Sequence, residues 1–296
     1  MRVVTRYEIQ GLHQRGRSCV VTLRDEAFDP SPEVDVFVKL ATAREAEIAA
    51  NLAAAGAPIP SLLFDVPRSD STHVLGFEFL DTIGIDFASA AEVSELLAVV
   101  AALNTRSPEV LRMSTDPPPG RPEAEFTESV KSALAFVESV RLLEWATAAE
   151  LMDIYARAKR WAAAMPTAVT HSEMYFQQVG RRREGSLRIF DLATVGVRPR
   201  FSDLCSLVSG TARECALDEI DVIADYLAQL TLAGAAAPGV HEGLRELRRL
   251  RVLNCCQSLP WLVRSLDDPH LGLEAVADKV ETMRRDLGGL GVVRSA

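Results

Sequence analysis

Two short stretches in the middle of the chain carry more polar chemistry than their surroundings explain. The first runs Val169-Thr170-His171-Ser172-Glu173-Met174-Tyr175-Phe176-Gln177-Gln178, and the second is Leu187-Arg188-Ile189-Phe190-Asp191-Leu192. Asp191 ends an apolar strand, directly after Ile189 and Phe190, where an acid has no packing reason to stand. A further group lies far upstream. Only four lysines occur among the 32 basic residues, and one of them, Lys39, closes the run Val36-Phe37-Val38. The five cysteines (Cys19, Cys205, Cys215, Cys255 and Cys256) are odd in number and show no Cys-x-x-Cys spacing. A disulfide framework or a structural zinc site is therefore not expected, and a reducing compartment fits.

The elements that must hold these groups fall into two kinds. Tyr7–Gln10, Cys19–Leu23 and Val36–Val38 read as three strands of an antiparallel meander, joined by the loop Gly11–Ser18 and a turn over Asp25–Asp35. Ala41–Ala55 reads as a helix with Ile48 and Leu52 at helical spacing, closed by Gly56 and followed by Pro58 and Pro60. Ser61–Val66 and His73–Leu80 read as two more strands. Beyond Asp81 the pattern is mostly helical: Ser89–Thr105, Glu125–Val140, Ala146–Met165, Asp203–Leu232, His241–Leu266 and Leu273–Leu287. Ser89 and Glu92 have capping-box spacing. Asp116–Gly120 reads as a loop, and a β-rich island spans Ala168–Leu192. The expected division is an N-terminal lobe over residues 1–80 and a helical C-terminal lobe over 81–296.

Composition narrows the classes. The chain has 296 residues, 48% of them hydrophobic and 25% charged, which is ordinary for a globular protein and excludes a disordered one. The net charge is −9, so a basic nucleic-acid footprint over the whole molecule is not expected. The first ten residues lack the apolar core of a signal peptide, and Leu227–Val240 is too short to span a bilayer. The expectation is a cytoplasmic protein without nucleic-acid or membrane partners.

Placed in order, the segments resemble the aminoglycoside phosphotransferase and choline kinase family of the protein-kinase-like fold. His171-Ser172-Glu173, with Gln178 five residues after Glu173, resembles the family's His-x-Asp-x-x-x-x-Asn loop, and LRIFD puts Asp191 at its metal position. VFVKL puts Lys39 at the phosphate-binding lysine. AREAEIAANLAAAGAPIP resembles the helix that carries the lysine's partner acid, which makes Glu45 that partner, with Glu47 as the alternative. LGFEFLD resembles the hinge strand, Asn104 falls where the family usually has His, and Asp203 falls on its buried structural Asp. The resemblance covers roughly residues 7–210. It implies an α+β, two-lobed fold with a small antiparallel β lobe and a larger, mainly helical one. It also implies ATP and Mg²⁺ as cofactors and a hydroxyl group as phosphate acceptor, on a small molecule (antibiotic or metabolite) or a modified peptide. Its site residues are Glu173, Asp191 and His171 for catalysis, Lys39, Glu45, Glu78, Phe79 and Leu80 for the nucleotide, and Gln178 and Asp191 for metal. The hinge backbone would face the adenine, with Phe37 as an apolar wall.

The residue types suit that chemistry. Phosphoryl transfer needs positioning and charge neutralisation more than covalent chemistry. A strand lysine fixed by a helix acid can hold phosphates, an Asp can hold Mg²⁺, and a loop carboxylate can take a hydroxyl proton. Two departures stand out. Glu173 replaces Asp and Gln178 replaces Asn, each moving its group by roughly 1 Å, and such a misplacement can cost on the order of 10²-fold in rate. Ser172 replaces the family's usual Gly, and the Gly11–Ser18 loop has two glycines rather than three in series. Simpler readings stand beside the functional ones. Lys39 would be a solvated edge-strand lysine, Glu45 a solvated helix charge, His171 a core brace, and Glu173 and Gln178 inert loop residues. The last belongs to an alternative function, a catalytically silent kinase fold that binds a nucleotide or a partner protein. Cys255-Cys256 read as core. Trp261, Asp267 and Asp268 fit either an acceptor pocket or a helix terminus, and Asp218, Glu219 and Asp221 read as a helix start.

Overall fold

A five-stranded antiparallel sheet is built within the first eighty positions. Its strands are β1 (Arg6–His13), β2 (Ser18–Arg24), β3 (Glu33–Thr42), β4 (Leu62–Pro67) and β5 (Thr72–Glu78), in the order β1-β2-β3-β5-β4. The computed structural model describes residues 6–13, 18–24, 33–111, 122–174, 176–211, 215–266 and 272–293. The first three strands are longer than the sequence pattern implies, while β5 stops at Glu78, two residues before the expected Leu80. Gly11 sits at a register shift between Gln10 and Leu12 and continues β1 to His13 rather than opening a loop. The centres of the Gly11–Ser18 loop and of the Asp25–Asp35 turn, the Asp116–Gly120 loop, Tyr175, and Asp267 and Asp268 lie outside the described residues.

β3 is the middle strand, and Lys39 pairs with Ser18 on one side and Leu75 on the other. This corrects the edge-strand reading of Lys39. β3 runs straight into helix α1 (Ala43–Ala54), because Thr42 turns the chain and its hydroxyl accepts from the Glu45 backbone N–H at 3.1 Å. The buried residues of α1 are Glu45, Ala46, Ile48, Ala49 and Leu52. Glu45 therefore shares a helix face with Ile48, Ala49 and Leu52, whereas Glu47 does not.

The segments that follow are β6 (Thr82–Ile83), α2 (Ala90–Asn104), α3 (Glu123–Ser139), α4 (Ala148–Ala163), β7 (Thr167–Thr170), β8 (Val179–Arg181), β9 (Leu187–Ile189) and β10 (Gly196–Pro199). β6, β8 and β9 form a small antiparallel sheet. Four helices end the chain: α5 (Ser202–Thr211), α6 (Glu219–Leu232), α7 (Val240–Arg264) and α8 (Leu273–Gly289). The single expected helix Asp203–Leu232 is thus two. Asp218 caps the second by accepting from the N–H groups of Ile220 and Asp221. The Ser89 capping box is half made: Ser89 Oγ accepts from Glu92 N, but the Glu92 carboxylate accepts from Asp86 N instead. A complete box forms at Thr147 and Glu150.

The chain divides into two compact units, Met1–Asp116 with Val169–Val197, and Pro117–Ala168 with Arg198–Ala296. This division does not fall at residue 80. The first unit takes in α2 and the two polar segments as well as the sheet. In the second, α3, α4, α7 and α8 bury Val130, Leu134, Leu151, Leu259 and Met283, with Cys255 and Cys256 fully inside the same core. No helix among the described residues is long and apolar enough to cross a membrane.

Candidate active site

Lys39, Glu45 and Asp191 meet within the first unit. Lys39 Nζ lies 2.7 Å from Glu45 Oε1 and 3.2 Å from Asp191 Oδ1. Lys39 and Glu45 are nearly buried, at 15% and 7% side-chain exposure, while Asp191 is 40% exposed. The triad thus has two sheltered members and one that opens to solvent. Burial alone would push the Lys39 ammonium below the usual lysine value. The carboxylates of Glu45 and then Asp191 more than reverse that, and the lysine stays charged. Glu45, not Glu47, is the partner acid, as its place on the buried face of α1 requires.

Backbone geometry sets Asp191. It takes a left-handed conformation, φ 62° and ψ 65°, between β9 and the short 3₁₀ turn Leu192–Thr194. Asp tolerates that region better than most residues. His171 is fully buried, and its Nε2 lies 2.9 Å from Phe190 O and 2.8 Å from Asp191 O. Both partners are carbonyl oxygens, so Nε2 carries the proton and donates to them. The His171 carbonyl in turn accepts from Thr194 Oγ1 at 2.9 Å. His171 is a brace for the Asp191 turn, which sides with its structural reading.

Ser172 also has positive φ, +75°. A left-handed residue there reverses the local direction, so that His171 and Met174 are buried while Glu173 points out. Glu173 makes no hydrogen bond or ion pair among the described residues. Gln178 is half-buried, and its carbonyl accepts from Phe190 N at 3.0 Å, which registers the 176–178 turn against the strand end before Asp191.

At the hinge the three expected residues part ways. The Glu78 carboxylate is ion-paired to Arg182, which also donates to Ser61 Oγ at 2.7 Å. Phe79 is 38% exposed, and Leu80 is buried. Asp81 N then donates to Arg181 O at 2.8 Å, and Gly84 N to Val179 O at 2.7 Å. The close approach of β8 explains Gly180: a Cβ there would lie 2.7 Å from Thr82 O and 2.8 Å from Leu80 Cδ1.

Three arginines that the sequence reading does not single out hold the frame. Arg44, next to Glu45 on α1, donates to Ala193 O at 3.1 Å and Val195 O at 2.9 Å, which ties α1 to the turn after Asp191. Arg106 donates to Ala55 O and Gly56 O, both at 2.8 Å, at the other end of α1. Arg182 holds Glu78. Asn104, singled out in sequence, is buried and donates to Val169 O at 2.8 Å, just before the His171 loop. Asp203 is fully buried near the start of α5.

The donor set can be weighed against a metal. Among the described residues no three His, Cys, Asp or Glu side chains gather into a metal-holding cluster. An exposed Asp191 carboxylate with one oxygen toward Lys39 suits a hard cation that takes most of its ligands from water and phosphate.

No protein-family model matches the chain, and no curated protein matches its sequence. Solved structures do resemble it. An ethanolamine kinase of Plasmodium vivax superposes with a TM-score of 0.58 at 11% identity, covering 95% of this chain and 81% of that one. An aminoglycoside phosphotransferase from Alicyclobacillus acidocaldarius gives 0.58 at 12% identity, with coverages of 96% and 92%. A spectinomycin phosphotransferase in complex with ADP and spectinomycin gives 0.55 at 13% identity, with coverages of 95% and 89%. The chain has the protein-kinase-like α+β fold found in the aminoglycoside phosphotransferases and the choline and ethanolamine kinases.

Proposed function

We propose that the chain is an ATP- and Mg²⁺-dependent phosphotransferase that moves the γ-phosphate to a hydroxyl group. The observation that carries this reading is the meeting of Lys39 and Glu45 with Asp191, 152 positions beyond Lys39, with both carboxylates within 3.2 Å of the Lys39 ammonium. A charged lysine held by a buried acid gives a fixed cation for phosphate oxygens. In this reading the hinge backbone at Phe79 and Leu80 faces the adenine edge. Mg²⁺, when bound, neutralises phosphate charge, and Asp191 and Gln178 are the residues that would hold it. Glu173, exposed at the loop tip, takes the proton of the acceptor hydroxyl. The hydroxyl oxygen forms the new bond to the γ-phosphorus, the bond to the β–γ bridging oxygen breaks, and ADP leaves. The acceptor is a hydroxyl-bearing small molecule or a modified peptide. The small-molecule class is favoured by the names of the structural neighbours, which are ethanolamine, aminoglycoside and spectinomycin kinases.

One observation favours a second reading, a silent nucleotide- or partner-binding scaffold. Glu173 departs from the family's Asp and makes no hydrogen bond or ion pair among the described residues. Transfer of labelled γ-phosphate from ATP to a panel of hydroxylated small molecules and Ser/Thr peptides separates the two. Transfer that falls at least about 10³-fold in Asp191→Ala supports the enzyme, since charge-stabilising groups in phosphoryl transfer have effects of that size. Undiminished transfer in Asp191→Ala overturns it. ATP binding without transfer to any acceptor favours the scaffold.

A further inference from the structure

A second group of residues, all within the helical unit, lines a half-open cavity of about 380 Å³. Arg157, Arg160 and Trp161 reach it from α4, and Glu242, Glu246 and Arg249 from α7. The spacings are i, i+3, i+4 on one helix and i, i+4, i+7 on the other, so each helix turns a single face to the cavity.

The charges there are unevenly matched. Glu246 is already paired with Arg200 at 3.1 Å, with both side chains at 15% exposure or less, and Glu242 with Arg245 at 2.6 Å. Arg157, Arg160 and Arg249 have no carboxylate partner among the described residues. The Nε of Arg249 is buried without a hydrogen-bond partner. Gathering three unpaired cations is unfavourable, and Arg157 and Arg160 are like charges at i, i+3. In a chain of net charge −9 there is no shortage of acids to match them.

Trp161 organises two of the three. The guanidinium carbons of Arg157 and Arg249 lie 5.3 and 5.5 Å from its ring centroid. Cation–π stacking uses the flat face of a guanidinium and leaves its N–H edge free. Two arginines are thus pre-oriented with donors unspent, and a third stands one helical turn along. The fork of an arginine matches the paired oxygens of a phosphate or a carboxylate.

We propose that this cavity is a binding site for a small anion bearing a phosphate or carboxylate group, with Arg157, Arg160 and Arg249 as its donors. Glu242 and Glu246, held by their own arginines, set its negative edge and select against a second anionic group on that side. The inference does not rest on the phosphotransferase reading, because Lys39, Glu45 and Asp191 belong to the other unit.

Calorimetric titration of the full chain with inorganic phosphate and, separately, with citrate tests it, in the absence of nucleotide and Mg²⁺. At least one probe is expected to bind the wild type and the Lys39→Ala variant alike. Arg249→Gln and the exposed Arg160→Gln are each expected to weaken that binding about tenfold or more, as loss of a charged hydrogen bond does. Thermal unfolding of Arg160→Gln serves as the folding control, with an unchanged midpoint expected. Failure of both probes to bind at millimolar concentration overturns the proposal. So does binding that both arginine variants leave intact, or binding that only Lys39→Ala removes.

Discussion

In the proposed reaction Glu173 is the residue on which activity turns. It is the proposed base, it is exposed, and it follows the left-handed Ser172 directly. Glu173→Gln keeps the shape and removes the base. The expected result is a loss of about 10²–10⁴-fold in kcat, with ATP affinity unchanged, read from steady-state kinetics and calorimetry. Lys39 gives a second prediction. Its pKa is raised because the two carboxylates outweigh burial, so the stability it contributes is fully present below the ordinary lysine value of 10.5. That stability is lost only as pH rises through the higher folded value. In Glu45→Gln burial is opposed by Asp191 alone, and the Lys39 titration is expected to move down. With four lysines in the chain, its ammonium is resolvable by NMR, and an unchanged titration would contradict the account. These residues were legible in sequence because each is marked locally: Lys39 and Asp191 by an apolar strand before them, Glu45 by its helix register. The brace role of His171 was legible only as one of two readings. Its partners are backbone carbonyls about twenty positions away, and these leave no mark in sequence.

Strand β3, helix α1 and the turn after Asp191 act together as one frame. α1 is fixed at its start by Thr42 and by Arg44 on the 193–195 turn, and at its end by Arg106. Ile189 N also donates to Pro58 O at 2.9 Å, so the strand that delivers Asp191 is tied to the exit of the helix that delivers Glu45. Arg44→Ala removes two charge-assisted bonds and is expected to cost roughly 1–3 kcal/mol of stability. It is also expected to raise the Kd for ATP, while Arg44→Lys recovers part of both. Equal ATP affinity in Arg44→Ala would show that the frame does not depend on this clamp. The helices and strands were largely readable from periodicity, and the clamps were not. Arginine is the common base in this chain, and a long-range donor to a carbonyl looks the same in sequence as a solvated one. The merged reading of α5 and α6 has a different cause. Apolar spacing continues in both, α5 ends at Thr211 and α6 starts at Glu219, and the mark of the break in sequence is the capping Asp218.

The molecule as a whole joins a site-bearing unit to a helical one, and the second unit is held by more than apolar packing. Arg251 and Asp286 are almost fully buried and ion-paired, with Glu219 as a further partner of Arg251. Arg251→Met leaves an uncompensated buried carboxylate and is expected to lower stability by about 3–5 kcal/mol, seen in chemical unfolding. The double variant with Asp286→Leu is expected to recover much of that loss, and a double variant no more stable than Arg251→Met would contradict the reading. The fold was readable from the order of weak motifs along the chain, each of which is unspecific alone. The acceptor was not, since the residues weighed for it, Asp267 and Asp268, lie outside the described residues, and Trp261 is merely exposed. The central claim is that Lys39, Glu45 and Asp191 form a nucleotide-phosphate site. Calorimetric titration with ATP, with and without Mg²⁺, on the wild type and on Asp191→Ala tests it most directly. The account predicts binding to the wild type that strengthens with Mg²⁺, and loss of that Mg²⁺ dependence in Asp191→Ala. Absence of ATP binding to the wild type, or equal Mg²⁺-dependent binding in both proteins, would contradict it.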